Sequence, residues 1–155
     1  MEMLLENNTI WYRFRGGEMA ETIRKVEYFY IEAPNKPGEG AKVLAALRDA
    51  GVNLLAFSGF PHGRKAQIDF IPDNSAKFRA AARKAGLKLS ASKKGFLVQG
   101  VDKRGAVAGL MEKLAAVKVN VTAIDAVAAG KGRYGAILWV KSSDLAKAGK
   151  ALGAS

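Results

Sequence analysis

The chain repeats itself, and the repeat limits what it can fold into. With an offset of 67, residues 36–57 match residues 103–124 identically at 7 of 22 positions, among them Gly38/Gly105, Leu47/Leu114 and Asn53/Asn120. Apolar residues fill other pairs, such as Val43/Leu110 and Phe57/Ile124. Downstream the offset reads as 69. It aligns Gly63-Arg64 with Gly132-Arg133, Ile68 with Ile137 and Phe70 with Trp139, as if the second copy had a hairpin two residues longer. A period this long exceeds a solenoid unit and specifies two similar small domains. A unit of about 65 residues buries only about 60% of its unfolded surface and is marginal alone. The halves are therefore expected to pack together, with further pairing between chains.

Each copy yields the same order of elements. Lys25–Ala33, rich in aromatic and branched residues, reads as a strand. Asn35–Gly40 (NKPGEG) breaks it, and Val43, Leu44, Leu47 and Ala50 then recur at helical spacing up to Gly51. Leu54–Phe60 and Lys65–Ile71 read as strands joined at a hairpin. A second helix follows over Ser75–Ala85, with Asn74 or Ser75 as cap, and then a short fourth strand over Leu87–Ala91. The second copy gives strand Phe96–Val101, helix Ala106–Val117, strands Val121–Ala128 and Tyr134–Val140, and helix Ser143–Leu152, without a fourth strand. The expected fold class is α+β: two tandem ferredoxin-like βαββαβ units, an antiparallel sheet with helices on one face, the second unit lacking its last strand. Residues 1–24 form an N-terminal extension, poorly ordered or an extra strand over Ile10–Arg15. Residues 25–93 form the first domain and residues 94–155 the second.

Composition narrows the chemistry. The 155 residues include no cysteine and one histidine, His62. This removes disulfides, thiol catalysis and zinc sites built on Cys or on several His, so no metal and no cofactor are expected. No apolar run approaches 18 residues, so no membrane span is expected, and the cytoplasm is the expected location. The net charge is +11. Its densest stretch is 77–94, where seven Lys and Arg occur with no acid. Such a run solvates a helix face and could also attract an acidic protein partner or nucleic acid. Asp69, Asp73, Asp102 and Asp125 show no pairing by spacing alone, and no catalytic constellation stands out.

The segment NKPGEGAKVLAALRDAGVNLLAF (Asn35–Phe57) resembles the hallmark of the ACT domain, a βαββαβ regulatory module that binds amino acids and related ligands. DKRGAVAGLMEKLAAVKVNVTAI (Asp102–Ile124) is similar to a second, weaker version, with Arg104 in place of the turn Pro and Lys118 in place of the helix-ending Gly. The resemblance covers residues 25–152. It implies a non-enzymatic sensor that binds an amino-acid-like ligand between modules, as a homo-oligomer such as a dimer. It carries ligand contacts over to Asn35, Lys36, Gly38, Asn53 and Leu54, and in the second copy to Asp102, Gly105 and Asn120. The residue types suit this role. Glycine lets a turn approach a ligand, a helix N-terminus offers free N–H groups to a carboxylate, and an Asn amide both donates and accepts.

The same βαββαβ order occurs in the RNA-recognition motif, so a basic nucleic-acid-binding module is the alternative. That motif stacks bases on aromatics of its central strands. Lys131–Trp139 resembles its third-strand octamer but has an inserted Arg133 and places Ala136 where a stacking ring is needed.

Overall fold

The structure is a computed structural model that describes residues 2–6, 9–13 and 21–155. Glu2–Glu6 (β1) and Thr9–Arg13 (β2) pair antiparallel in a two-stranded sheet of their own. The remainder of the extension as far as residue 20, including Phe14 and Arg15, lies outside the described residues.

The main body begins with a long strand, Thr22–Pro34 (β3). Pro37 and the left-handed Gly38, at φ 88°, turn the chain into helix Glu39–Asp49 (α1), which buries Val43 and Leu47. Leu54–His62 (β4) and Lys65–Pro72 (β5) form a hairpin. Helix Ser75–Lys84 (α2) follows, where the Asn74 side chain accepts from the Lys77 N–H at 2.9 Å. The second half runs through Lys93–Val101 (β6), helix Ala106–Ala116 (α3), Val121–Gly130 (β7) and Arg133–Val140 (β8). A 3₁₀ turn over Ser142–Asp144 leads into helix Leu145–Leu152 (α4). No helix among the described residues is long and apolar enough to cross a membrane.

The two units share one antiparallel sheet of six strands, in the order β4-β5-β3-β6-β8-β7. Two central strands join them. Phe29–Pro34 of β3 pairs with β5, while Thr22–Tyr28 of the same strand pairs with β6. The first part of β3 thus occupies the place of the second unit's missing fourth strand. The expected fourth strand at Leu87–Ala91 does not form. Tyr30 donates its N–H to Ser90 Oγ (3.0 Å) while the Ser90 N–H bonds Tyr30 O (2.8 Å). A side-chain hydroxyl has taken the acceptor place that a ladder gives to a carbonyl, and regular pairing resumes at Lys93.

The β3–β6 ladder places Glu27 opposite Lys94, residues 67 apart. The repeat offset therefore maps this ladder onto itself, and an approximate twofold axis passes through that pair. Phe29 faces Phe70, and its counterpart Phe96 faces Leu138, so the offset in the third strand is 68, not 69. The second copy is one residue longer, and β7 absorbs the difference as an irregularity between Ala128 and Gly130. A one-residue slip reverses the face of every side chain. Phe70 accordingly packs under the helices with Phe29 and Phe78, whereas Trp139 lies on the opposite face and corresponds to Ile71.

Each half has its own helix-side core. The first is built on Phe29, Leu47, Phe70 and Phe78, the second on Phe96, Leu110, Leu114 and Leu138, all at most 2% exposed. Burying each such side chain contributes roughly 1.5–3 kcal/mol. A third cluster of Ile71, Leu97, Ile137 and Trp139 fills the helix-free face. That face is concave: the sheet curls until Ser58 on one edge strand donates its hydroxyl to Asp125 Oδ2 on the other, at 3.1 Å. These two residues also differ by 67, so their bond lies on the twofold axis.

Candidate functional site

The residues implicated by the sequence gather in turns and at strand starts. Asn35, Lys36 and Gly38 form the exposed turn that leads into α1; Asp102 and Gly105 form the equivalent turn before α3. Gly38 and Gly105 are both left-handed, at φ 88° and 76°, and neither helix has a side-chain cap. The two turns therefore present helix N-termini of the same geometry.

Asn53 and Asn120 stand elsewhere. Pro34 pairs with Lys65 and Leu54 with Pro72, so Asn35 and Asn53 lie beyond opposite ends of the eight-residue strand β5, seven steps from end to end. At 3.3 Å per residue that is roughly 23 Å of strand. The second copy has the same layout, with Val101 opposite Arg133 and Val121 opposite Val140. Asn53 is exposed, its carbonyl accepting from the Asp73 N–H at 3.1 Å, and Leu54 packs partly against the first core. Within one chain the structure brings each turn together but does not bring the asparagines to it.

The concave face holds what the sequence did not reveal. Two clefts flank the Ser58–Asp125 bond. The larger, about 470 Å³, is lined by Tyr28, Phe60, Gln67, Asp69 and Trp139. The other, about 340 Å³, is lined by Phe57, Leu97, Val127 and Ile137, and Asp125 borders both. Asp69 is 4% exposed, and Gln67 Nε2 donates to its Oδ1 at 3.0 Å. Burial pushes its carboxyl above the usual range; the Gln67 bond and Lys93 oppose this and Asp125 adds to it. Tyr28 is raised by burial and then by the Asp69 charge. The Tyr28 ring meets Trp139 edge-on at 5.8 Å. Trp139 lies across Gly95, where a Cβ would come within 3.2 Å of the indole, so any larger residue would require the ring to shift by a few tenths of an ångström. Among the described residues no group of three His, Cys, Asp or Glu is placed to hold a metal ion.

The basic run is partly engaged in the fold. Lys93 lies 4.8 Å over the Tyr30 ring, Arg79 lies 5.7 Å over that of Phe29, and Lys94 pairs with Glu27 at 3.3 Å.

No family model matches the chain, and no curated protein matches it. Solved structures do. A Bacteroides thetaiotaomicron protein superposes with a TM-score of 0.73 at 17% identity, over 84% of this chain and 88% of the other. The ligand-free regulatory subunit of aspartate kinase from Thermus thermophilus gives 0.59 at 18%, over 86% and 94%. The corresponding subunit from Thermus flavus gives 0.54 at 18%, with the same coverage. The fold is that of paired ACT-type modules. The ACT-type pair seen here has ferredoxin-like repeats joined through β3 and β6, with the helices on the convex side.

Proposed function

We propose that the chain is a non-enzymatic regulatory protein that binds an amino acid or similar small ligand between ACT-type modules, and that occupancy changes how copies of the chain associate. The observation that carries this reading is the pair of matching turns before α1 and α3, Asn35–Gly38 and Asp102–Gly105, on a fold shared with regulatory subunits of aspartate kinase. The N–H groups at each helix start suit a ligand carboxylate. The separation of about 23 Å between Asn35 and Asn53 calls for a module of a second chain to complete the site, so the active form is a homo-oligomer, a dimer in its simplest form. The edge strands β4 and β7 support this, because they end the sheet on both sides and expose Phe57, Phe60 and Val127. Nucleic-acid recognition is disfavoured, since the face that would stack bases is curled over Ile71, Leu97 and Trp139.

The test is thermal-shift screening against the twenty amino acids, with sedimentation velocity on any that act. Saturation at about 100 times Kd stabilises by about 2.7 kcal/mol, or roughly 5–10 °C for a chain of this size. Asn53→Ala is expected to remove the shift while leaving the free protein's melting temperature in place. No shift with any amino acid would reject the reading.

A further inference from the structure

The two clefts on the concave face are images of each other across the twofold axis, and one of them has stayed apolar. Where the larger cleft has Gln67 and Asp69, the smaller has Gly135 and Ile137, and its one carboxylate, Asp125, is already bonded to Ser58. Its rim residue Val127 is 68% exposed. The smaller cleft also lies beside the start of the main body. Thr22 pairs with Gln99, Gln99 with Gly135 and Gly135 with Val127, so these four residues form one row across the sheet. The last three line the cleft. Ile23 packs in the helix-side core, which leaves Thr22 on the concave face with them. The row covers three strand spacings, roughly 14 Å. The larger cleft begins at Tyr28, further along β3 and away from the extension.

The chain carries a segment suited to that place. Directly opposed residues of an antiparallel pair share a face, and successive residues alternate between faces. The β1–β2 register sets Leu5 opposite Ile10 and Met3 opposite Tyr12, so these four share one face with no charge among them. The other face takes Glu2 opposite Arg13, Leu4 opposite Trp11 and Glu6 opposite Thr9. A two-stranded hairpin is marginal in water unless its apolar face packs on something. Eight residues, 14–21, connect Arg13 to Thr22, and a connection of that length reaches up to about 30 Å. An uncharged hairpin face is thus tethered within reach of an exposed apolar cleft. We propose that the β1–β2 hairpin docks face to face on the smaller cleft, with the Leu5–Ile10 pair over Val127, and covers the concave side of the second half. The charged hairpin face then meets water, and the outer backbone of β7 stays open to another chain. The larger cleft is left uncovered, because an apolar face laid on Gln67 and Asp69 would strip water from polar groups without replacing its hydrogen bonds.

The test is disulfide cross-linking in the full chain, which has no native cysteine to compete. Leu5→Cys is combined with Val127→Cys, and separately with Phe60→Cys, the counterpart position in the larger cleft. A third variant combines Leu4→Cys, from the other hairpin face, with Val127→Cys. Each is treated with mild oxidant, and links within a chain are separated from links between chains by non-reducing electrophoresis. Rates are compared after division by each thiol's own alkylation rate. A disulfide requires close, well-directed Cβ atoms, so the first pair is expected to link within the chain about 10-fold faster than either of the others. Equal rates for Leu5 and Leu4 would show a tether with no docked face, and equal rates for Val127 and Phe60 a hairpin with no preference for this cleft. Either result overturns the proposal. A link that forms only between chains also overturns it, by giving the cleft to a second copy, and so does the absence of any link.

Discussion

Lys118 stands in the left-handed region at φ 58°, where its counterpart Gly51 has φ 68°. Both follow the first helix of their unit, and the Lys118 N–H closes α3 by bonding Ala115 O at 2.9 Å. A side chain in this conformation costs about 1–2 kcal/mol, part of which the greater freedom of an unfolded glycine offsets. Lys118→Gly is therefore expected to raise stability by about 1 kcal/mol, measured as the denaturant midpoint at unchanged slope. At this scale much could be read from sequence. The glycines ahead of the helices, the Asn74 cap and the departure at Lys118 all stand out, because each is a local backbone demand answered by one residue type. Asp69 does not. Its significance rests on its counterpart being Ile137, and an alignment one residue out compares it with Leu138 instead.

That slip belongs to the elements. An extra residue between β7 and β8 looks in the sequence like a longer hairpin loop, whereas the folded chain takes it up as an irregularity within β7. The loops themselves stay the same length: two residues separate His62 from Lys65, and two separate Gly130 from Arg133. Apart from the strand expected at Leu87–Ala91, which does not form, the order and approximate ends of the helices and strands from Lys25 onward followed from apolar periodicity; the sheet's fusion did not. Nothing local marks Thr22–Tyr28 as the neighbour of β6, because that pairing joins residues more than 60 apart. The edge strands carry a prediction of their own. β4 has no charged residue and β7 has only Asp125, while Val127 is 68% exposed. Uncharged edges of this kind invite pairing with another chain. Val127→Lys is expected to abolish self-association through β7 in sedimentation velocity, at a cost in stability within about 0.5 kcal/mol. A dimer that persists would exclude that edge as the interface.

For the whole molecule, the contact between halves should be visible in acid. Hydrogen bonds from Ser75 and Ser92 and the Lys94 ammonium beside it hold Glu27 down at about 2, against an ordinary 4.5. A carboxylate whose folded pKa is depressed contributes stability that is fully present above its unfolded value and is lost as pH falls toward the folded one. The melting temperature is therefore expected to fall as pH drops from about 4.5 to about 2. Glu27→Gln should flatten that limb, and an unchanged pH profile would show that the contact adds nothing. The repeat foretold two halves that depend on each other. What it could not convey is how they depend: by sharing strands, with the curl bringing together Ser58 and Asp125, which are 67 residues apart.

The pairs on the axis also show what duplication within a single chain makes available. Two identical subunits around a twofold axis must place the same residue on both sides of it. Glu27 would then face Glu27, and Asp125 would face Asp125, each a like-charge clash at the centre of the assembly. Two linked copies are free of that constraint. One half can supply the carboxylate and the other the ammonium or hydroxyl, as Glu27 with Lys94 and Ser58 with Asp125 do here. The same freedom let one cleft become polar while its image stayed apolar, a division of labour closed to any symmetric dimer of a single module.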